Sequence, residues 1–228
     1  MPNWCNNYIV ISGTKSNMKP IYDFFHNGQK KVDEYYEKKK QYVRENPDKT
    51  IWDNVESIQL EDQLVMNTLV PYDEDYQRIK ESGNFIINPQ DSFYGTKWDF
   101  DLKESNVNEV TEERITLSPS TAWSPPSEFC QRLTKKYGVH VEINYEEGGV
   151  GFVGQEEFED GEMIGQVYYN NYHEGLYRLE KDTFWSMVDS DLDDLGDITE
   201  EEFLNKFPYV SDEDRETIRK DFQLSKVD

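Results

Sequence analysis

Between Ser124 and Tyr145 the hydrophobic period changes from that of a helix to that of a strand across a single glycine. This junction constrains the architecture more tightly than any other part of the chain. Phe129, Leu133 and Tyr137 recur at helical spacing, and Gly138 ends the run. Val139, Val141, Ile143 and Tyr145 then alternate with His140, Glu142 and Asn144, as a half-buried strand requires. Such a strand needs a sheet, and the helix before it needs that sheet to cover its apolar stripe.

The rest of the chain can be read outward from that pair. Asn6 to Ser12 reads as a strand covered on both faces, with Ile9 and Ile11 on one side and Tyr8 and Val10 on the other. Gly13 ends it. Ser16 or Asn17 then caps a helix carrying Met18, Ile21, Tyr22 and Phe25, which Asn27-Gly28 stops. A second helix is expected over residues 30–46, with Val32, Tyr35, Tyr36, Tyr42 and Val43 along one side. Lys30, Lys31, Lys38, Lys39 and Lys40 make it the basic stretch of the chain, and Pro47 closes it. Residues 50–66 read as partly helical. Strands are expected around Lys97–Leu102 and Arg114–Leu117, with the acidic stretch Glu104–Glu113 as a loop between them. Ser124 is placed to cap the next helix, with Pro125 and Pro126 in its first turn. Beyond Tyr145, Gly148, Gly149 and Gly151 break the strand. Asp160-Gly161 marks a hairpin returning through Met163–Tyr169.

Without the insertion, this order is the βαββαβ unit of ferredoxin-like folds. The expected class is therefore α+β. It has a ferredoxin-like antiparallel sheet with two helices, a helical insertion and a C-terminal helical appendage. Residues 1–172 make the first domain, with the insertion at about 28–66. Residues 173–228 make the acidic appendage, whose Phe184, Trp185, Met187, Val188, Phe203, Phe207, Ile218 and Phe222 fall at helical spacings.

Charge narrows the choice of partner. The chain of 228 residues carries 47 Asp and Glu against 24 Lys and Arg, a net charge of −23. Residues 1–114 hold −7 of it and residues 115–228 hold −16. A polyanion is repelled by such a surface, since nucleic-acid affinity rests on cations that neutralise phosphates. Anionic membrane is disfavoured for the same reason. A basic protein surface is attracted; the plainer reading is that the charge keeps the chain in solution. No apolar run reaches the roughly 20 residues of a membrane span, and the N-terminus lacks a secretory layout. With no export signal, Cys5 and Cys130, far apart in sequence, are expected to be buried or idle thiols in a reducing cytoplasm.

Five motifs occur in order along the chain: Met1-Pro2-Asn3-Trp4-Cys5-Asn6-Asn7, Leu69-Val70-Pro71, Gly95-Thr96-Lys97-Trp98-Asp99, Thr121-Ala122-Trp123-Ser124-Pro125-Pro126, and Tyr145-Glu146-Glu147-Gly148-Gly149-Val150-Gly151-Phe152. Together they resemble the YubB-type family of phages and conjugative plasmids over roughly residues 1–169. The resemblance implies a ferredoxin-like domain and a mobile-element setting, where accessory proteins counter host defences. It departs in the Lys-rich insertion and in the acidic tail.

No catalytic residue stands out. His26, His140 and His173 have no metal-ligand spacing, and no nucleophile elbow, phosphate loop or dinucleotide fingerprint is present. Trp4, Trp98, Asp99, Trp123 and Tyr145 are pocket candidates, since aromatic walls with a few polar groups make ligand sites. The simpler reading puts these tryptophans between sheet and helices. Asp191 to Glu202 has the spacing of a calcium loop, with Asp191, Asp193, Asp197 and Glu202 as ligands and Leu195 where an oxygen is needed. The competing reading is an acidic loop in which Thr199 and Glu202 form a capping box. Apart from that calcium, no cofactor is expected.

The leading functional expectation is a non-enzymatic acidic binding protein that engages and inhibits a host defence protein, presenting carboxylates to a basic or nucleic-acid-binding surface. Its contact candidates are Glu146, Glu147, Glu156, Glu157, Glu159, Asp160, Asp189, Asp191, Asp193 and Asp194. The alternatives are a small-ligand binder or enzyme using the aromatic and carboxylate pocket, and an RNA- or DNA-binding accessory protein using the Lys30–Arg44 helix.

Overall fold

The computed structural model describes residues 3–46, 64–103, 105–193, 196 and 198–226. The expected partly helical stretch at 50–66 lies mostly outside them. The chain divides into two compact units. One comprises Met1–Tyr145 with Gln155–Gln166, and the other Glu146–Gly154 with Val167–Asp228.

The first unit opens with β1 (Trp4–Ser12) and α1 (Lys15–Glu45). The short helices α2 (Val65–Leu69), α3 (Glu74–Ser82) and α4 (Pro89–Tyr94) come next. β2 (Val107–Val110), β3 (Arg114–Leu117), β4 (Ser120–Ala122), α5 (Ser127–Tyr137) and β5 (His140–Glu147) complete the run. The hairpin strands β6 (Phe152–Glu159) and β7 (Glu162–Tyr169) follow. The sheet order is β2-β3-β1-β5-β6-β7, and β4 pairs with β1. Its first four strands, linked by α1 and α5, are the ferredoxin-like arrangement, extended here by β6 and β7. The β1–β3 and β2–β3 ladders are antiparallel. α1 buries Met18, Ile21, Phe25 and Val32, and α5 buries Phe129, Cys130 and Leu133. These stripes face inward with Ile9, Ile11, Ile115, Val141 and Ile143, all at most 2% exposed or wholly buried.

Several local expectations are corrected. Asn27-Gly28 does not stop a helix. α1 runs unbroken through it from a Thr14 cap to Glu45, so the two expected helices are one. Gly28 is there for close approach: a Cβ on it would lie 2.1 Å from Leu102 Cδ1. Lys97–Leu102 alternates like a strand but makes only an isolated bridge, Leu64 to Asp101. The second strand is instead Val107–Val110, inside the stretch read as a loop. A register shift between Val107 and Glu109 breaks its alternation, which is why the pattern hid it. Ser124 does not cap α5. Pro126 occupies that position, and the Ser124 hydroxyl donates to Gly95 O. β1 is covered on both faces only over residues 9–11, since Tyr8, on the same face as Val10, is exposed.

β1 changes partner midway. Ile9 to Ser12 pair with β3, and Trp4 to Asn6 pair with β4. The break falls at Asn7, opposite Pro119. The Asn7 amide donates to Cys5 O, Pro119 O and Thr121 Oγ1 at 2.9–3.0 Å, filling the gap in the ladder. Gly138, at positive φ, closes α5. The Asp160-Gly161 turn joins β6 to β7 as expected. Its Gly161 N–H donates to Thr134 Oγ1, and its carbonyl accepts from Gln131.

The second unit holds α6 (Tyr172–Leu179), α7 (Lys181–Asp193), α8 (Glu200–Leu204) and α9 (Asp212–Ser225). Phe184, Val188, Phe203, Phe207, Ile218 and Phe222 form its core with Val153 and Leu176, and Trp185 and Met187 pack against it. Each fully buried phenylalanine is worth roughly 2–3 kcal/mol of transfer free energy. Tyr177 donates to Asp214 at 2.6 Å and Lys181 pairs with the same carboxylate, which pulls its pKa down. Among the described residues no helix is long and apolar enough to cross a membrane.

Candidate functional site

Three of the sequence motifs meet at the β4 end of β1. The Trp123 N–H donates to Asn3 O at 2.9 Å, which continues the β1–β4 ladder by one residue. The Thr96 hydroxyl, wholly buried, donates to Ala122 O at 3.0 Å and ties Gly95-Thr96-Lys97-Trp98 to the strand. Thr121 Oγ1 donates to Ser124 O at 2.7 Å. Gly95 makes the turn out of α4 at φ 87°, where a side chain would be strained and would meet Glu128 and the Pro125 carbonyl.

This scaffold pushes its tryptophans outward. Trp4, Trp98 and Trp123 are 50%, 43% and 46% exposed, so the expectation that they fill the core is corrected. Their polar backbone neighbours are satisfied underneath, which leaves the indoles in solvent. The Trp4 and Trp98 rings lie 6.1 Å apart at a 50° tilt. Lys97 Nζ sits 4.6 Å over the Trp98 ring. Trp123 holds φ 77°, a left-handed conformation rare for a bulky residue and costing about 1–3 kcal/mol.

A loop missed by sequence reasoning joins this surface. Phe85, Ile86 and Ile87 are all exposed, Ile86 at 94%. Asn88 Nδ2 donates to Lys97 O at 3.5 Å, placing the loop beside the Lys97-Trp98 segment. The Asp91 carboxylate accepts the Ile87 and Asn88 N–H groups in the capping box that starts α4. The available signal was three consecutive apolar residues between Asn84 and Asn88, which reads equally well as a short buried run.

Asp99 and Tyr145 do not join the tryptophans. Asp99 is largely buried, and its oxygens accept the N–H groups of Met66, Asn67 and Phe100 at 2.8–2.9 Å. Burial pushes its carboxyl up to about 6, against the pull of those hydrogen bonds. It anchors the start of α2. Tyr145 is buried, and its hydroxyl donates to Glu156 Oε1 at 2.9 Å.

Two contact candidates are corrected in the same way. Glu156 is buried against Tyr145 and Gln166, and its Oε2 has no hydrogen-bond partner among the described residues. Burial and the Glu156 charge raise the carboxyl of Glu128. Glu147 is buried too: its oxygens accept the Gly149 and Val150 N–H groups and shape the turn after β5. Neither side chain can meet a partner surface. Glu159, Asp160, Asp189 and Asp193 are exposed. Glu157 is half-exposed beside His140, Glu146 accepts from Tyr172, and Asp191 pairs with Lys206. Asp194 lies outside the described residues.

Of the calcium set, Asp197 also lies outside them. Glu202 accepts the Thr199 N–H and hydroxyl in a capping box. Among the described residues no three His, Cys, Asp or Glu side chains gather closely enough to hold a metal. A cleft of about 280 Å³ lies between Asp73, Asp75, Arg132, Lys135 and Lys136. It is smaller than ordinary ligand pockets, and its Arg132 is already paired with Asp75 and stacked 3.9 Å over Phe93.

Residues 94–189 match the family model described as the ferredoxin-like domain in Api92-like protein. A solved structure, protein api92 from Yersinia pseudotuberculosis, is similar at 12% identity, with a TM-score of 0.40. The similarity covers 74% of this chain and 98% of that one. No curated protein matches.

Proposed function

We propose that this chain is a non-enzymatic protein-binding module of YubB-type, phage or mobile-element character, which engages a host protein and blocks it in the host cytoplasm. The observation that carries the reading is the exposure, within one unit, of Trp4, Trp98, Trp123 and the Phe85–Ile87 loop, with Trp4 6.1 Å from Trp98 and the loop's Asn88 bonded to Lys97 O. Tryptophan dominates binding hot spots, and a soluble surface rarely exposes such apolar area without a partner for it. The net charge of −23 supports a basic partner, which it steers toward encounter. Asp99, next to Trp98 in sequence, supports binding over catalysis, because its oxygens are engaged with backbone amides.

The test is capture from a bacterial host lysate by the full chain and by two variants. Ile86→Asp puts a charge at the most exposed apolar position and is expected to abolish capture. Converting Glu157 and Glu159 to Gln, and Asp189 and Asp193 to Asn, is expected to weaken capture and flatten its salt dependence. Equal capture by Ile86→Asp and the unaltered chain would reject the docking surface.

A further inference from the structure

We infer that the tryptophan surface seats arginine side chains of a basic partner protein, and that Lys97 occupies one of those seats in the free chain. The inference deepens the docking reading above and rests on it. An indole face is the best aromatic acceptor for a cation, and the molecule already uses it so: the Lys97 ammonium lies 4.6 Å from the centroid of the half-exposed Trp98 ring. Trp4 stands 6.1 Å from Trp98 and tilted from it, so the two rings are not closed on each other as a face-to-face stack. Trp123 is held at the same edge of β1, with its indole half-exposed despite its unfavourable backbone.

A lysine is the weaker occupant of such a seat. Its ammonium is compact and strongly hydrated, whereas a guanidinium is planar, weakly hydrated and stacks on aromatic rings. An arginine from a partner therefore displaces Lys97, and Lys97 returns to water. The charge of the chain favours the same occupant. With 47 acids against 24 bases, it attracts cationic protein segments and repels the phosphates that would otherwise bring cations with them.

The experiment uses the full chain and calorimetric titration with three peptides of equal length, carrying arginine, lysine or glutamine at the same positions. The arginine peptide is expected to bind, the lysine peptide about tenfold more weakly, and the glutamine peptide not measurably. Trp98→Leu is expected to lose about tenfold in arginine-peptide affinity. Lys97→Met is expected to tighten it severalfold by vacating the ring. Lys15→Met makes the same charge change away from the tryptophans and serves as the control, with less than a twofold effect expected.

Equal affinity for arginine and lysine peptides would overturn the inference, as would weaker binding by Lys97→Met or equal tightening by Lys15→Met. Those outcomes leave untouched a docking surface that still fails with Ile86→Asp. Loss of the lysate partner's dependence on Ile86 would remove the surface itself.

Discussion

The two units use their aromatic residues in opposite ways. The second turns Phe184, Phe203, Phe207 and Phe222 into one core and leaves a carboxylate-rich exterior, with 19 Asp and Glu against 7 Lys and Arg. The first buries Phe25, Phe93, Phe100, Phe129 and Phe158 too, but exposes Phe85 and holds three tryptophans half in water on a frame of buried hydroxyls and amides. Buried carboxylates do not follow that division. Among the described residues each unit buries one, Glu156 in the first and Glu147 in the second, and the first holds Asp99 partly buried beneath backbone amides. Aromatic area that faces inward stabilises a fold. The same area held outward, against a hydration penalty, is available to something else.

Substitutions can break or sharpen that contrast. The largest effect is expected from Phe184→Ala, which empties a fully buried ring site in the second unit. It should cost about 3–5 kcal/mol in urea denaturation followed by circular dichroism. A loss below about 1 kcal/mol would mean the ring is not part of a tight core.

Asp99 comes next. Its folded carboxyl sits near 6, above its unfolded value, so the native state holds that proton more tightly. Its contribution is greatest below about pH 4 and declines as pH rises through 6. Relative to Asp99→Asn, the unaltered chain should lose up to about 3 kcal/mol of stability between pH 4 and pH 6. A difference that does not change with pH would place Asp99 in water rather than beneath the α2 amides.

The smallest effect is expected at Trp123. Replacing it with glycine relieves the φ 77° strain, so stability should stay level or rise by up to about 1 kcal/mol while lysate capture is lost. A clear fall in stability would mean the indole supports the fold, and the contrast between the units would fail there.

Legibility in the sequence followed the same division. Where side chains pack inward, spacing revealed them: the α5 stripe, the β5 alternation, the Asp160-Gly161 hairpin and the core phenylalanines Phe184, Phe203, Phe207 and Phe222 all lie as their patterns imply. Long-range fit was hidden. Nothing local in Asn27-Gly28 indicates that Leu102 needs the space of a missing Cβ, and a stop signal and a close-packing site look alike in one dimension. The bulged β2 has no clean period to find. The tryptophans were named as candidates, but hydrophobicity alone turned them inward. Their exposure comes from a hydrogen-bond frame built by residues more than 20 positions apart, as between Thr96 and Ala122. Glu147 and Glu156 failed as surface acids for a related reason: a buried carboxylate is permitted where local amides or hydroxyls meet it, and those partners are fixed only on folding.

The amide of Asn7 makes β1 modular. On one side of it, Ile9 to Ser12 answer to the core; on the other, Trp4 to Asn6 answer to β4. Because one side chain bridges the seam, a single change at Asn7 strikes both halves of the strand at once: Pro119 O and Thr121 Oγ1 lose their shared donor, and the segment that carries Trp4 and Trp123 loses its tie to the core ladder.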